Sequence, residues 1–307
     1  MQVLHPRLLR PLNLAAAAHP RGQDHISAAS GMALAGSWLY IVADDEHHLA
    51  TLALGDMPAG PVRFRRILAG DLPGDHPFRK KLKPDLESIC RLPAGEVHAD
   101  GALLLLGSGS RPNRCRGLLL ALDSTGAIAG EAVPIDLAPL YAPLHADFAD
   151  LNIEGAFAAD GLFHLLQRAN AGAASRNACI QFSLTEVQAW VAGHRATAPA
   201  PLRVLPFDLG RLGPVPLGFT DGTAWPGGGW VFSAVAEDTA DSYSDGACAG
   251  SALGWVGADG KLLRVEPLAG APKVEGIAVD PLGRLLMVTD SDNPFIPSAL
   301  LAVDSPF

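Results

Sequence analysis

The 307-residue sequence is poor in positive charge and in long apolar segments, and each shortage excludes a class of protein. Lys and Arg number 23 against 32 Asp and Glu, so the formal net charge is −9 and no basic surface of the kind that duplex nucleic acid requires is expected. The apolar runs at 102–106 and 118–122 are far shorter than the roughly 20 residues of a membrane-spanning helix. We therefore expect neither a nucleic-acid partner nor a membrane-spanning segment.

Cysteine is scarce as well, and its spacing argues against disulfide and zinc sites. Cys90, Cys115, Cys179 and Cys248 form no CxxC pair, and no nearby His completes a zinc-ligand pattern. This pattern predicts free thiols in a reducing, cytoplasmic environment. The apolar N-terminal segment could imitate a signal peptide, but Pro and Asn interrupt it, and we assign it to the fold.

Glycine and proline, by contrast, are abundant. The chain contains 33 Gly and 25 Pro, which interrupt helices and favour turns, so a helical bundle is excluded. With 49% hydrophobic and only 18% charged residues, the sequence is long and apolar enough to bury a large core. These numbers together favour many short strands.

An internal repeat organises those strands. Five short signatures, each with a small residue near its centre, recur at steps of 54 to 67 residues: 29–33 (ASGMA), 86–90 (LESIC), 153–157 (IEGAF), 220–224 (TDGTA) and 274–278 (VEGIA). Each signature is followed by a Gly-bearing turn, an apolar strand, a polar loop and another strand, and four of the units add a fourth strand. Four strands per unit at this period is typical of a β-propeller blade.

The ends of the chain complete the pattern. The fifth unit stops at 299–304 (ALLAVD) without a fourth strand, whereas the N-terminal segment 8–14 resembles the fourth strands of the other units. We predict an all-β, single-domain propeller over 1–307 with five blades, closed by the N-terminal strand in the C-terminal blade, which leaves no exposed edge. Six blades is the alternative. A capping box, Ser183 with Glu186, predicts one short helix at 183–195.

Candidate functional residues lie on one rim of this ring. The first strand of each blade lines the central channel, and the long fourth-to-first and second-to-third loops share the rim at which these strands begin. Four signatures place a carboxylate there, and the fifth has Ser30: Glu87, Glu154, Asp221 and Glu275. Converging carboxylates repel one another unless a positive charge lies among them. Because these ligands are oxygen atoms and include no His, a bound cation would be Ca²⁺ before Mg²⁺ or Mn²⁺.

Basic side chains on the same rim offer the other source of positive charge. Four of them are candidates for binding a small anionic substrate: Lys83, Arg111, Arg168 and Lys273. Lys83, Arg168 and Lys273 could equally be salt-bridge partners in an architectural ring whose carboxylates accept backbone N–H groups. His145 and Asp147, in the loop 141–150, are candidates for a general base. The acidic loops 44–48, 241–246 and 290–293 could add further oxygen ligands.

A family resemblance follows from the acid and small residue that open the innermost strands. Three segments carry it: 84–89 (PDLESI), 151–156 (LNIEGA) and 273–280 (KVEGIAVD). They resemble the Glu-Gly signatures of the esterase-like phytase family and are similar to the channel acid of senescence-marker/gluconolactonase-type propellers. In those relatives, carboxylates at the channel mouth bind calcium or another divalent ion, which holds a phosphate, lactone or ester.

The resemblance implies a function as well as a fold. It implies metal-ligand roles for Glu87, Glu154, Asp221 and Glu275, and a metal-assisted hydrolase acting on a small anionic ester, lactone or phosphoester. The chain departs from those families in having five units instead of six blades and Ser30 in place of one acid. The alternative is a noncatalytic propeller, a ligand-binding or protein-interaction module with a structural carboxylate ring.

Overall fold

A computed structural model describes residues 2–15, 19–57, 59–170, 172, 175–239 and 246–304. Within these residues the strands form five antiparallel sheets. The innermost strand of each sheet packs against the innermost strands of the two adjacent sheets, which closes a ring. The predicted five-bladed β-propeller is therefore confirmed.

The strands follow the order that the repeat predicts. The first strand, β1 (Arg7–Pro11), belongs to the last blade. Blade 1 contains β2 (Ala29–Ala35), β3 (Trp38–Ala43), β4 (His48–Ala53) and β5 (Arg63–Arg66). Blade 2 contains β6 (Leu86–Leu92), β7 (Ala102–Gly107), β8 (Arg116–Ala121) and β9 (Val133–Asp136). Blade 3 contains β10 (Ile153–Ala159), β11 (Leu162–Gln167), β12 (Asn177–Ser183) and β13 (Arg203–Phe207).

The last two blades depart slightly from four strands in a row. Blade 4 contains the short β14 (Arg211–Leu212), then β15 (Val215–Ala224), β16 (Trp230–Asp238), β17 (Ala247–Val256) and β18 (Leu262–Pro267). Blade 5 contains β19 (Val274–Val279), β20 (Leu285–Thr289) and β21 (Ala299–Val303), with β1 as its outermost strand. The N-terminus thus supplies the strand that the last unit lacks.

Ring closure depends on more than one contact of the N-terminal segment. Antiparallel pairing joins β1 to β21, with Leu8 opposite Leu301. The Leu12 N–H then donates to the Ser298 carbonyl at 2.8 Å, and on the other side the Leu4 N–H donates to Pro267 of blade 4 at 2.9 Å. The predicted closing strand is therefore confirmed, and it covers the edge of β21.

The apolar core lies in layers between adjacent blades. In β7 every residue is buried, because both faces of the strand are covered by a neighbouring blade. Side chains alternate between the two layers: Leu103 and Leu105 pack in the layer shared with blade 1, whereas Leu104 and Leu106 pack in the layer shared with blade 3. This two-sided burial explains why the second strands read as unbroken apolar runs.

In the described part of the chain, three short helices occupy connections between strands: α1 (His76–Leu82), α2 (Ala138–Tyr141) and α3 (Leu184–Val191). The helix predicted from the capping box is α3, and the Ser183 hydroxyl accepts the Glu186 N–H at 3.4 Å. The segment that precedes blade 2 was expected to be a loop, but it contains α1, whose Asp75 cap accepts the Phe78 N–H at 3.0 Å. Among the described residues, no helix is long and apolar enough to cross a membrane.

A β-bulge interrupts each innermost strand at the channel mouth. In four blades the bulged residue is the second residue of the signature: Ser30, Glu87, Glu154 and Glu275. In blade 4 the bulged residue is Thr220, and Asp221 pairs with Ser233 in the regular ladder. A bulge re-aims its side chain relative to the ladder. The alignment that put Asp221 beside the glutamates is therefore displaced by one residue.

The residue after the bulge has little room. A Cβ atom on Gly31 would lie 2.8 Å from the Glu87 carbonyl oxygen, and one on Gly276 would lie 2.8 Å from the Gly31 Cα. Separations below 3.0 Å are closer than real Cβ contacts, so glycine permits the innermost strands to approach. At these two positions the small central residue of the signature is therefore explained by the close approach of the innermost strands.

Candidate functional site

A polar cavity opens at the rim where the fourth-to-first and second-to-third loops meet. Its volume is about 100 Å³, enough for several water molecules or a small ligand group. Among the described residues, eight carboxylates line it: Asp44, Asp85, Glu87, Glu154, Glu237, Glu275, Asp290 and Asp292. Five cationic side chains also line it: Lys80, Lys83, Arg114, Arg168 and Lys273. Eight acids against five bases give the lining a formal net charge of −3.

The repeat delivers these side chains through recurring positions in each blade. One is the bulged residue, and a second is the residue two places before it, such as Asp85 before Glu87 or Lys273 before Glu275. A third is the residue that follows the second strand, and its N–H donates to the carbonyl of the second position. The recurring donor–acceptor pairs are Asp44 to Ala28, Ser108 to Asp85, Arg168 to Asn152 and Asp290 to Lys273, at 2.9 to 3.2 Å.

Arg168 occupies the part of the cavity nearest blades 3, 4 and 5. Its guanidinium lies 3.5 Å from Glu154 and 3.8 Å from Glu275, and it contacts Glu237 closely. The Lys273 ammonium lies 3.5 Å from Glu275 and 2.6 Å from Asp292. Two predicted metal ligands, Glu154 and Glu275, thus form ion pairs with predicted substrate-binding cations, Arg168 and Lys273.

Glu87 faces a different group of residues. Oxygen atoms of Asp44, Asp85 and Glu87 lie within 4.8 Å of one another. The Lys83 ammonium contacts Asp44 closely and lies 2.9 Å from Asp85 Oδ1, and the Arg114 guanidinium lies 3.0 Å from Asp85 Oδ2. We call Asp44, Asp85 and Glu87 the acidic triad. The predicted ring of four acids is therefore divided, and Glu87 belongs to a set that the signature alone does not contain.

Burial leaves several of these acids short of compensating charge. Burial, followed by the Asp85 and Glu154 carboxylates, raises the pKa of Glu87 well above its ordinary value. Burial raises the pKa of Glu275 to about 8, against the lowering effects of Arg168 and Lys273. Asp85 differs, because Lys83 and Arg114 outweigh its burial and hold its pKa below the ordinary value. The cavity therefore favours an additional positive charge.

Asp221 lies apart from the acids of the cavity. It is 1% exposed, it is not among the described residues that line the cavity, and its oxygens accept the backbone N–H groups of Gly222 at 2.7 Å and Ile277 at 2.9 Å. Ile277 belongs to the innermost strand of blade 5, so this carboxylate links two blades. The structure gives Asp221 the architectural contacts that were weighed as the alternative for the whole ring.

Three other predicted residues are also away from the cavity. Arg111, His145 and Asp147 are exposed and are absent from the described cavity lining. His145 lies in a 3₁₀ turn after α2, and Asp147 pairs with Arg176 at 3.6 Å on the surface. The general base proposed for these two residues therefore has no support from their positions. Residues 241–245 of one acidic loop lie outside the described residues.

Several cavity-lining residues lie outside the five signatures, and the sequence pattern could have identified some of them. Asp44 and Asp290 each follow a second strand directly, and Asp85 precedes the signature acid Glu87 by two residues. The acidic loops 44–48 and 290–293 were considered as outer ligands, and both contribute to the lining. Glu237 lies near the end of the long strand β16, and no short motif marks it.

The acidic triad fits a hard divalent cation in its donor chemistry. Its ligand atoms are carboxylate oxygens, which Ca²⁺ and Mg²⁺ prefer. A further observation comes from Glu275, which lines the same cavity with a 7% exposed side chain and whose buried Oε2 has no hydrogen-bond partner in the described part of the chain. This cluster of three acidic residues could therefore hold a metal ion.

Solved structures similar to this chain are β-propellers. A candidate glycoside hydrolase from Bacteroides ovatus ATCC 8483 is 12% identical, with a TM-score of 0.52 over 97% of this chain and 96% of the other. A luciferin-regenerating enzyme is 10% identical, with a TM-score of 0.49 over 98% and 96% of the two chains. A glucose dehydrogenase is 13% identical, with a TM-score of 0.43 over 92% and 97%. At such identities the likeness shows the fold alone.

The sequence comparisons are more specific about kinship. No curated protein sequence matches the chain. A family model matches residues 79–294, a segment that includes all the cavity-lining residues named above except Asp44. On this match, the chain belongs to the family of unknown function DUF6910.

Proposed function

We propose that this protein binds a hard divalent cation, Ca²⁺ before Mg²⁺, at the channel mouth through Asp44, Asp85 and Glu87. The observation that carries the proposal is the convergence of three carboxylates within 4.8 Å in a cavity where acids outnumber bases. The raised pKa of Glu87 and the unpartnered Oε2 of Glu275 support it, because both indicate carboxyl groups that lack sufficient positive charge around them. Oxygen-only ligands favour a hard ion.

We further propose that the bound cation serves the metal-assisted hydrolysis of a small ester, lactone or phosphoester. Such an ion polarises a carbonyl or phosphoryl oxygen and lowers the pKa of a bound water. Arg114 and Ser108 hold Asp85, since the guanidinium lies 3.0 Å and the hydroxyl 2.5 Å from its Oδ2. A cavity volume of about 100 Å³ suits the reacting group of a substrate. A cytoplasmic location, supported by the four unpaired cysteines, remains part of this proposal.

The charge of the cavity restricts the substrate. Lys83, Arg168 and Lys273 were expected to bind an anion, but each already contacts carboxylates. An entering anion would compete with those carboxylates in a lining where acids outnumber bases by three. A neutral or singly charged ester or lactone therefore suits the site better than a phosphomonoester dianion.

Calcium titration of chelator-treated protein tests the cation proposal. We expect Ca²⁺ to bind with a measurable heat and to raise the melting temperature by a few degrees, since a ligand at about 100 times its Kd stabilises the native state by about 2.7 kcal/mol. Glu87→Gln should lose most of this effect. Glu96→Gln is the matched control, because Glu96 is exposed in the turn at the opposite end of β6 and should leave it unchanged. Equal responses of both variants and the wild type would reject the triad as the site.

A noncatalytic propeller is the second candidate, and a specific observation favours it. Asp221 links backbone groups of adjacent blades, and Arg168 contacts three carboxylates at once. Both arrangements serve to hold the ring together. If chelator-treated protein neither binds Ca²⁺ nor changes its melting temperature, the acids of the cavity are architectural and this candidate replaces the first.

A further inference from the structure

The acidic triad already has a positive group beside it. Lys83 follows α1 directly, and its ammonium reaches between two triad members, contacting Asp44 Oδ2 and lying 2.9 Å from Asp85 Oδ1. The side chain is 14% exposed, so this contact is largely shielded from water. We propose that the Lys83 ammonium is an internal occupant of the cation site and that a divalent cation binds by displacing it. The inference rests on the proposed cation binding and adds to it a competitor within the chain.

The two cations compete because they use the same oxygens. An ammonium and a metal ion are both held by carboxylate oxygens, and two positive charges a few ångströms apart repel each other strongly in a partly buried site. Asp44 Oδ2 and Asp85 Oδ1 face Lys83, whereas Asp85 Oδ2 remains with Arg114 and Ser108. Displacement of Lys83 would therefore free one oxygen on each of two acids without releasing Asp85 from its other partners.

Glu87, the third member of the triad, is less well compensated than the other two. Among the described residues, the Lys83 ammonium is paired with Asp44 and Asp85, and its charge lowers the pKa of Glu87 too little to offset burial and the neighbouring carboxylates. Buried Glu275, on the same lining, has an oxygen without a partner. Lys83 thus neutralises part of this acid surface and leaves the rest for an ion. The Lys83 ammonium also stabilises the three neighbouring acids in metal-free protein, because a buried charge without compensation is costly.

Removal of the Lys83 charge tests the competition. Lys83→Met keeps an unbranched apolar stem and removes the ammonium, and we expect it to bind Ca²⁺ about tenfold more tightly than the wild type by calorimetry. Lys81→Met is the matched control, because Lys81 lies two residues away on α1, is exposed, and is outside the described cavity lining. It loses the same charge and should keep the wild-type Kd.

A second measurement uses the wild-type protein and does not depend on the variant folding. Acetylation by an N-hydroxysuccinimide ester, quantified for each lysine by mass spectrometry, reports how accessible each amine is. Lys83 should react slowly in metal-free protein and several times faster when Ca²⁺ is saturating, because displacement exposes its amine. Lys81 serves as the internal reference and should react at the same rate in both states.

The outcomes separate the inference from the proposed function. Tighter binding by Lys83→Met, together with calcium-dependent labelling of Lys83, supports both. If the wild type binds Ca²⁺ but Lys83→Met binds within twofold of it and Lys83 labelling does not change, the displacement is wrong while the cation site stands. If neither protein binds Ca²⁺, the cation site itself is wrong, and the inference is overturned with it.

Discussion

Arg168 shows how a single side chain organises the acid-rich cavity. It follows the second strand of blade 3, and its guanidinium contacts carboxylates from the innermost strands of blades 3 and 5 and from β16 of blade 4. Even so, burial keeps the pKa of Glu275 raised to about 8. One guanidinium and Lys273 are therefore insufficient for the acids around them, which is the physical basis for expecting an added cation.

His164 presents the opposite case, a base whose burial outweighs the attraction of the Asp160 carboxylate. Its ring is 3% exposed, stacks on Phe157 at 4.4 Å, and places Nδ1 3.4 Å from the Cys179 sulfur. Burial lowers the pKa of His164 to about 4 from the ordinary 6.5. The native state therefore holds a neutral imidazole over a range of pH in which the unfolded chain takes up a proton.

A pH dependence of stability follows from this imidazole. Below about pH 6.5 the unfolded state binds more protons than the native state, so the contribution of His164 is complete above that pH and is lost as pH falls toward 4. The difference of about 2.5 pKa units corresponds to a loss of about 3 kcal/mol. Urea unfolding of the wild type and His164→Phe at several pH values measures it. The unfolding free energy of His164→Phe should lack this loss at low pH. If the unfolding free energies of both proteins change in parallel with pH, the assignment to His164 is contradicted.

At the scale of elements, the strands were far more predictable than the exact register of their bulges. The second strands are buried on both faces, and that burial leaves an apolar run that any reading of the sequence detects. In blade 4, however, Asp221-Gly222 matches Glu154-Gly155 in sequence but not in position, because Thr220 is the bulged residue. Phe219, just before the bulge, packs in the layer shared with blade 3, and a five-residue signature does not encode packing between blades.

The candidate site was predicted in outline for the same reason. Repetition located the rim and three of its glutamates, because each blade brings the same strand position to the channel. The division of those glutamates between Arg168 and the acidic triad depends on contacts between different blades, such as Lys83 of one connection with Asp44 of another. The sequence pattern of one blade does not predict which residues of other blades its loops contact. The helix α1, which ends just before Lys83, was too short to leave an amphipathic pattern.

The closing strand gives a prediction at the scale of an element. Leu12 is fully buried in the layer between blades 5 and 1, whereas Leu8, on β1, is 59% exposed. Leu12→Ala should lower the free energy of unfolding by about 2–5 kcal/mol, the usual cost of an emptied core position. Leu8→Ala is the matched control and should change it by less than about 0.5 kcal/mol. Denaturant unfolding compares the two, and equal small losses would show that the N-terminal segment is not needed to hold the ring.

At the scale of the whole molecule, the net charge of the chain has the same sign as the excess of acids in the cavity lining. The chain has a formal net charge of −9, and acids outnumber bases by three in the cavity lining. A field of one sign around a cleft raises the local concentration of oppositely charged ligands and lowers that of like-charged ones. Such a field would draw a cation toward the channel mouth and oppose the approach of a polyanion, and salt would weaken both effects.

Substrate charge provides the corresponding test. In the presence of Ca²⁺, we expect p-nitrophenyl acetate, a neutral ester, to be hydrolysed with a higher kcat/KM than p-nitrophenyl phosphate, which carries the same leaving group on a dianion. Added NaCl should raise the kcat/KM for the phosphate, because it screens the negative rim, and should change that for the acetate little. The Glu87→Gln variant measures the part of each rate that depends on the triad. Faster hydrolysis of the phosphate at low salt would mean that Lys83, Arg168 and Lys273 act on the substrate despite their carboxylate partners, and the anionic-substrate prediction would then be favoured.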